Sequence, residues 1–229
     1  MMSKLQQLQQ TVVECRKCPR LVAWREKAAR EKVKRFANET YWGRPLPSFG
    51  DPDAQLLLVG LAPAAHGGNR TGRMFTGDRS GDWLFRALYK SGFANQPESL
   101  SLDDGLKLRN CYITAACRCA PPQNKLLSNE LQNCRSFLLE ELLLLNNLRI
   151  IVGLGKTGFD VVLQSCERLG WIEGTQNPKF GHGVEFQINK TILLIGSYHP
   201  SQQNTFTGKL TEPMFDKIFR RTQRLLNES

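Results

Sequence analysis

Leu56-Leu57-Leu58-Val59, followed by Gly60-Leu61-Ala62-Pro63-Ala64-Ala65-His66-Gly67-Gly68-Asn69-Arg70-Thr71-Gly72-Arg73-Met74-Phe75-Thr76-Gly77-Asp78, is the stretch whose reading decides the fold. The apolar run is long enough for a parallel strand buried on both faces. It runs into a glycine-rich loop carrying two arginines, an exposed-looking aromatic and an acid. Gly81-Asp82-Trp83-Leu84-Phe85-Arg86-Ala87-Leu88 then spaces its apolar residues as a helix does. A strand that ends in a glycine-rich loop and feeds a helix is where open α/β sheets place their ligands. A loop this long inside a compact domain is usually functional or disordered.

The same grammar repeats along the chain. A strand at 110–116 leads into a loop at 117–124 and a helix running from a Ser128 cap to about 145. A third strand at 149–152 precedes the glycines of 153–158 and a helix at 159–169. A fourth strand at 191–196 empties into a loop at 197–209, and a last helix covers about 212–226. Residues 3–37 read as helix, interrupted at Cys15-Arg16-Lys17-Cys18-Pro19-Arg20. Residues 41–52 are punctuated by Pro and Gly and read as loop. Residues 171–189 read as irregular or hairpin. Strands alternating with helices predict an α/β fold, a parallel sheet covered on both faces, in one domain over 1–229.

The 229 residues are 41% hydrophobic and 23% charged, which gives a sizeable core and argues against wholesale disorder. Lys plus Arg number 31 against 21 for Asp plus Glu, a net charge of +10. A polyanion is the natural partner, nucleic acid before a membrane surface. No apolar run reaches transmembrane length and the amino terminus has no hydrophobic signal core. A soluble, cytoplasmic protein without a membrane partner is the expectation. In a reducing compartment the seven cysteines read as metal ligands or buried thiols rather than disulfides. Cys15 and Cys18 form C-x-x-C, while Cys119 and Cys134 lie in the loop and helix after the second strand. Four thiolates in two groups could hold zinc or an iron–sulfur cluster. Cys111, Cys117 and Cys166 read as buried thiols, with Cys117 close enough to Cys119 to confuse the ligand assignment.

Residues 153–158 match G-x-G-x-x-G, and Glu173 falls near the place of a ribose-binding acid. Yet no clear strand ends at Glu173, and the phosphate-loop alternative fails because Ile150 stands where a Gly is needed. The glycines read as close helix–strand packing, with room for a phosphate at the helix start.

The 60–78 loop, Arg118-Cys119-Ala120-Pro121-Pro122-Gln123-Asn124, and His199-Pro200-Ser201 with Asn204 and Thr207-Gly208 together resemble the uracil-DNA glycosylase superfamily. They most resemble its family 5 branch. The resemblance implies a three-layer α/β/α fold with a central four-stranded parallel sheet. It also implies a [4Fe-4S] cluster on Cys15, Cys18, Cys119 and Cys134. The implied activity is hydrolysis of the N-glycosidic bond of uracil in DNA, and of other deaminated bases, by a monomer acting at the nucleoid. An iron–sulfur module that senses damage without cutting is the alternative.

Under that resemblance Gly60, Ala62, Pro63, Ala64 and Ala65 would line the base pocket and Phe75 would stack on the flipped base. His199 would donate to the base oxygen where charge develops. Ser201 would bind a flanking phosphate and Phe206 would wedge between bases from the minor groove. Ala62-Pro63-Ala64-Ala65 holds no side chain able to accept a proton, which is the family 5 departure. Asp78 is the nearest carboxylate and would position or polarise water, though it also stands where the next helix needs a cap. Asn124 could assist with base or water. Ala115 replaces a base-reading Asn of family 4 relatives, which implies looser base selection.

Overall fold

The computed structural model describes residues 2–172 and 178–228; Glu173 lies outside them. Among the described residues six strands form one mixed sheet: β1 (Phe49–Gly50), β2 (Leu56–Gly60), β3 (Cys111–Ala115), β4 (Ile150–Leu154), β5 (Glu185–Gln187) and β6 (Leu193–Ser197), in the order β1-β3-β2-β4-β6-β5. The four inner strands are parallel, with Tyr112, Leu57, Ile151 and Leu194 in register across them. The expected four-stranded parallel sheet is therefore the centre of a larger one. β1 and β5 add antiparallel edges. Their two and three residues are too short to carry a legible period.

The helices are α1 (Lys4–Val13), α2 (Pro19–Glu31), α3 (Gly68–Thr71), α4 (Arg79–Lys90), α5 (Ser128–Leu144), α6 (Gly155–Arg168), α7 (Gln202–Phe206) and α8 (Glu212–Asn227). Strand alternation sorts the core into two layers. Leu56, Leu58, Ile113, Val152 and Ile195 face Phe85 and Leu88 of α4 and Phe215 and Phe219 of α8. Leu57, Val59, Tyr112, Ile151 and Leu194 face Leu5 of α1, Leu142 of α5 and Phe159 and Val162 of α6. Burial on both faces is why β2, β3 and β4 read as unbroken apolar runs rather than alternating ones.

Two sequence boundaries need correction. β4 runs through Leu154 and α6 begins at Gly155, so the 153–158 glycines form no loop. A Cβ on Gly158 would stand 2.5 Å from the Val59 carbonyl oxygen, and one on Gly153 would stand 2.6 Å from Phe159 Cα. The glycines let α6 lie directly on the sheet. Ser128 is the first residue of α5 and not its cap. The Glu130 carboxylate instead accepts from the Leu127 N–H at 2.8 Å, and Arg20 holds that carboxylate at 2.7 Å.

Candidate active site at the carboxyl ends of the parallel strands

From β2 the chain crosses to β3 on one side, and from β4 it crosses to β6 on the other. The crossovers part between β2 and β4, which is where open sheets leave a crevice beyond the strand ends. The loop leaving β2 at Gly60 fills one side. A Cβ on Gly60 would meet Phe75 Cζ at 2.7 Å, so the missing side chain is what lets the Phe75 ring lie on the strand end. Phe75 has φ of 55°, a conformation that costs a non-glycine residue roughly 1–3 kcal/mol. Its neighbours hold it there. Arg73 is buried, with its guanidinium on Asp104 at 2.6 Å, Ser99 at 2.8 Å and Thr76 at 3.0 Å. Arg70 pairs with Glu39 and donates to the carbonyls of His66 and Gly77. The two loop arginines are therefore internal braces. The first turn of α4 presses from behind, because a Cβ on Gly81 would stand 1.8 Å from the Phe75 carbonyl oxygen.

His199, two residues past β6, completes the other wall. Its ring faces Phe75 with centroids 5.9 Å apart and planes inclined by 31°. Gly155, at φ of 82°, turns the chain into α6 beneath it; a Cβ there would stand 3.3 Å from His199 Cβ. Burial pushes the imidazole down to about 4, so the ring is neutral near pH 7 and keeps one N–H to give. Asp78 caps α4, its Oδ1 accepting from the Gly81 N–H at 3.1 Å. Burial raises its pKa, against the backbone N–H bonds from Gly81 and Ser80. Its Oδ2 lies where a Cβ on Gly67 would stand 2.2 Å away, so Gly67 makes the room for it. The capping reading of Asp78 is correct, and a carboxylate with about four lone-pair positions has capacity beyond one cap bond.

Ala62, Pro63, Ala64 and Ala65 contribute backbone: the Ala64 carbonyl accepts from the N–H groups of Gly67 and Asn69. Ser201 caps α7, accepting from the Asn204 N–H at 3.4 Å. Phe206 ends α7 with 68% of its surface exposed, under the Arg79 guanidinium. Asn124 is exposed in the turn Pro122–Asn124, and among the described residues no hydrogen bond ties it to Phe75, Asp78 or His199. A cleft of about 530 Å³ between α1, α2 and Trp42 is lined by none of these three.

A match to the family described as the uracil DNA glycosylase superfamily covers residues 47–223, from just before β1 into α8. The chain belongs to the uracil DNA glycosylase superfamily. Within it the chain is similar to proteins named type-5 uracil-DNA glycosylase. The one from Mycobacterium tuberculosis is 50% identical over 212 residues, covering 92% of this chain and 78% of the relative. The one from Thermus thermophilus is 47% identical over 216 residues, covering 94% and 95%. A type-4 uracil-DNA glycosylase of Pyrobaculum aerophilum is 26% identical over 201 residues, covering 86% and 83%. The type-5 branch is thus this chain's place in the superfamily.

The superfamily match begins after α1 and α2, and Cys15 and Cys18 lie before it, between those two helices. The structure brings these two together with Cys119, Cys134 and Cys117 around one cavity, walled by Leu21, Val22, Arg25 and Phe137. Among the described residues no three or more His, Cys, Asp or Glu side chains form a group that could hold a single metal ion. Arg25 is 2% exposed and donates to the Cys119 sulfur at 2.9 Å and to the Cys15 carbonyl at 3.4 Å. Among the described residues its Nε is buried without a hydrogen-bond partner. Cys134 accepts from the Arg118 N–H at 3.3 Å, and Asn133 Nδ2 lies 3.5 Å from the Cys18 sulfur. The Cys117 thiol donates to the Cys119 carbonyl at 3.7 Å.

The superfamily resemblance did not announce the buried ion pair beside these cysteines. Arg118 and Glu141 are 1% and 0% exposed and 2.5 Å apart. Thr114, Ser48 and Gln9 also donate to Glu141, at 2.7, 2.6 and 2.9 Å, which ties β3, the β1 approach and α1 to α5. The signal was present in sequence: Glu141 interrupts the stripe Leu138, Leu142, Leu145, and Arg25 interrupts Leu21, Val22, Ala28. A charge on an apolar stripe requires a buried partner.

Proposed function

We propose that this protein is a DNA glycosylase that hydrolyses the N-glycosidic bond of uracil in DNA, leaving an abasic site. The carrying observation is the meeting of Phe75 and His199 beyond the carboxyl ends of the parallel strands, with a neutral imidazole against a half-buried ring at 5.9 Å. A nucleotide swung out of the duplex brings its base against the Phe75 face. As the C1′–N1 bond breaks, its electron pair stays on the base and negative charge spreads to the carbonyl oxygens. A neutral His199 donates there without losing a proton it needs, and its part-buried setting strengthens the bond. Asp78 faces the positive charge building on the sugar and accepts a hydrogen bond from the water whose oxygen forms the new bond to C1′; the proton that water sheds ends on the departing base, which kept the electron pair of the broken bond. The capping bond from Gly81 fixes the carboxylate for that task.

The base-facing strand ends carry no amide: Ala115 pairs with Gly60 and is 2% exposed. That supports acceptance of other deaminated bases along with uracil. The basic balance of +10 supports DNA as the partner.

A [4Fe-4S] cluster on Cys15, Cys18, Cys119 and Cys134 is part of the same reading. Its support is the charge on Arg25, which a buried guanidinium cannot shed. The group its guanidinium hydrogen-bonds is the Cys119 sulfur, and burial pushes that thiol up to about 12 in spite of Arg25. Ligation makes it a thiolate and gives Arg25 its counter-charge. Cys117 gives its S–H to the Cys119 carbonyl and stays outside the four-cysteine set of this reading. The cluster would act as a crosslink between the start of α2 and the segment after β3.

The test is incubation of the purified protein with a uracil-containing duplex, followed by alkali. Breakage at uracil alone is expected. Tight binding without release of free uracil refutes the glycosylase reading.

A further inference from the structure

Phe206 is the most exposed large apolar residue of the described chain, at 68%, and it is not left loose. It closes α7, a short excursion tied back on one side to the His199 wall. Asn204 Nδ2 donates to the His199 carbonyl at 2.9 Å, and the buried Leu210 donates its N–H to the Asn204 carbonyl at 2.9 Å. Lys209 lies over the Tyr198 ring at 5.0 Å. On the other side Arg79, the first residue of α4 and the neighbour of Asp78, holds its guanidinium 4.8 Å from the Phe206 ring centroid. Arg79 is exposed and among the described residues makes no ion pair or side-chain hydrogen bond, and the Phe206 ring face is what its guanidinium lies against.

We propose that Arg79 is the positioning residue for Phe206, holding the ring at the angle at which it enters the duplex. The inference rests on the glycosylase reading and adds a part to it. A cation over an aromatic face holds the ring without burying it, so the outer face stays available to a base step. The contact also joins the two halves of the mouth. Phe206 belongs to the His199 side through Asn204, and Arg79 belongs to the Asp78 side by direct succession. Duplex pressing on Phe206 is therefore transmitted to both walls, and the mouth is set when a duplex is engaged. Single strands have no paired duplex stack to wedge and would gain little from the brace.

The test is single-turnover uracil release on a duplex and on the single strand of the same sequence. The variants are Arg79→Met, Arg79→Lys, Phe206→Ala and the Arg79→Met/Phe206→Ala double variant. Arg79→Met is expected to lower the duplex-to-single-strand rate ratio about threefold, the factor an exposed cation–π contact carries. Arg79→Lys should recover part of that loss. Arg79→Met should add nothing on the Phe206→Ala background, and the salt slope of duplex binding should stay as in the wild type. An equal loss on both substrates, or a salt slope lowered by about one phosphate contact, would make Arg79 a backbone-binding residue and overturn the proposal. Additive losses in the double variant would overturn it as well. A Phe206→Ala variant as fast as the wild type on duplex would overturn the wedge together with its brace. A wild type that releases no uracil would instead sink the glycosylase reading beneath both.

Discussion

Acidification is expected to destabilise this protein through His199 in particular, and the size can be worked out. The folded imidazole titrates at about 4 because the mouth desolvates it, while an unfolded histidine titrates near 6.5. A folded pKa held below the unfolded one gives stability that is fully present above pH 6.5 and is lost as pH falls toward 4. At pH 5 the unfolded chain holds its proton on about 97% of molecules and the folded one on about a tenth, which is worth about 2 kcal/mol. The ring keeps some exposure, so a loss between about 1 and 2 kcal/mol is the expectation. The assay is urea unfolding of the wild type and His199→Gln at pH 7.5 and pH 5.0. Carboxylate titrations are common to both proteins and cancel in the difference. The wild type should lose about 1–2 kcal/mol more than the variant between the two pH values. Equal losses would mean that His199 is hydrated, and the argument for a neutral donor in a dry mouth would fail with it.

Asp78→Ser keeps a good helix cap while removing the carboxylate. Its melting temperature should stay close to that of the wild type, while single-turnover uracil release slows tenfold or more, roughly 1.4 kcal/mol or above; an unaltered rate would leave Asp78 with the cap alone. Glu141→Gln strands the buried Arg118 charge and should cost about 3–5 kcal/mol in urea unfolding, whereas a Glu141→Leu/Arg118→Met double variant should cost less than the two single changes together. Additive single losses would show that the pair is not coupled. Arg25→Met should yield protein with lower iron content per chain and weaker visible absorbance than the wild type, because Cys119 loses its compensating cation. Iron content equal to that of the wild type would detach Arg25 from the cysteine site.

The inner sheet was legible because each parallel strand is covered on both faces and must read as an apolar run. The loop after Leu56-Leu57-Leu58-Val59 was legible for a different reason: residues such as Phe75 and Asp78 make no sense as linker. The edge strands were not legible. Two or three residues carry no period, and Phe49–Gly50 and Glu185–Gln187 are strands by virtue of the neighbours they pair with. Asn124 stands out in sequence beside Pro121 and Pro122, yet it comes to rest exposed on a turn.

What the chain determined by itself was the order of strands and helices, the glycine-rich exit from the first long strand, and two separated pairs of cysteines. Those features are local, written in apolar period and in residue types within a few positions of each other. Tertiary structure alone decided which distant residues meet. It set His199 against Phe75 across 124 positions, Arg79 over Phe206 across 127, and Arg118 on Glu141 across 23. Parallel strands bring every exit loop to one end of the sheet whatever the distance in sequence, and only the crossings between them determine which loops become neighbours.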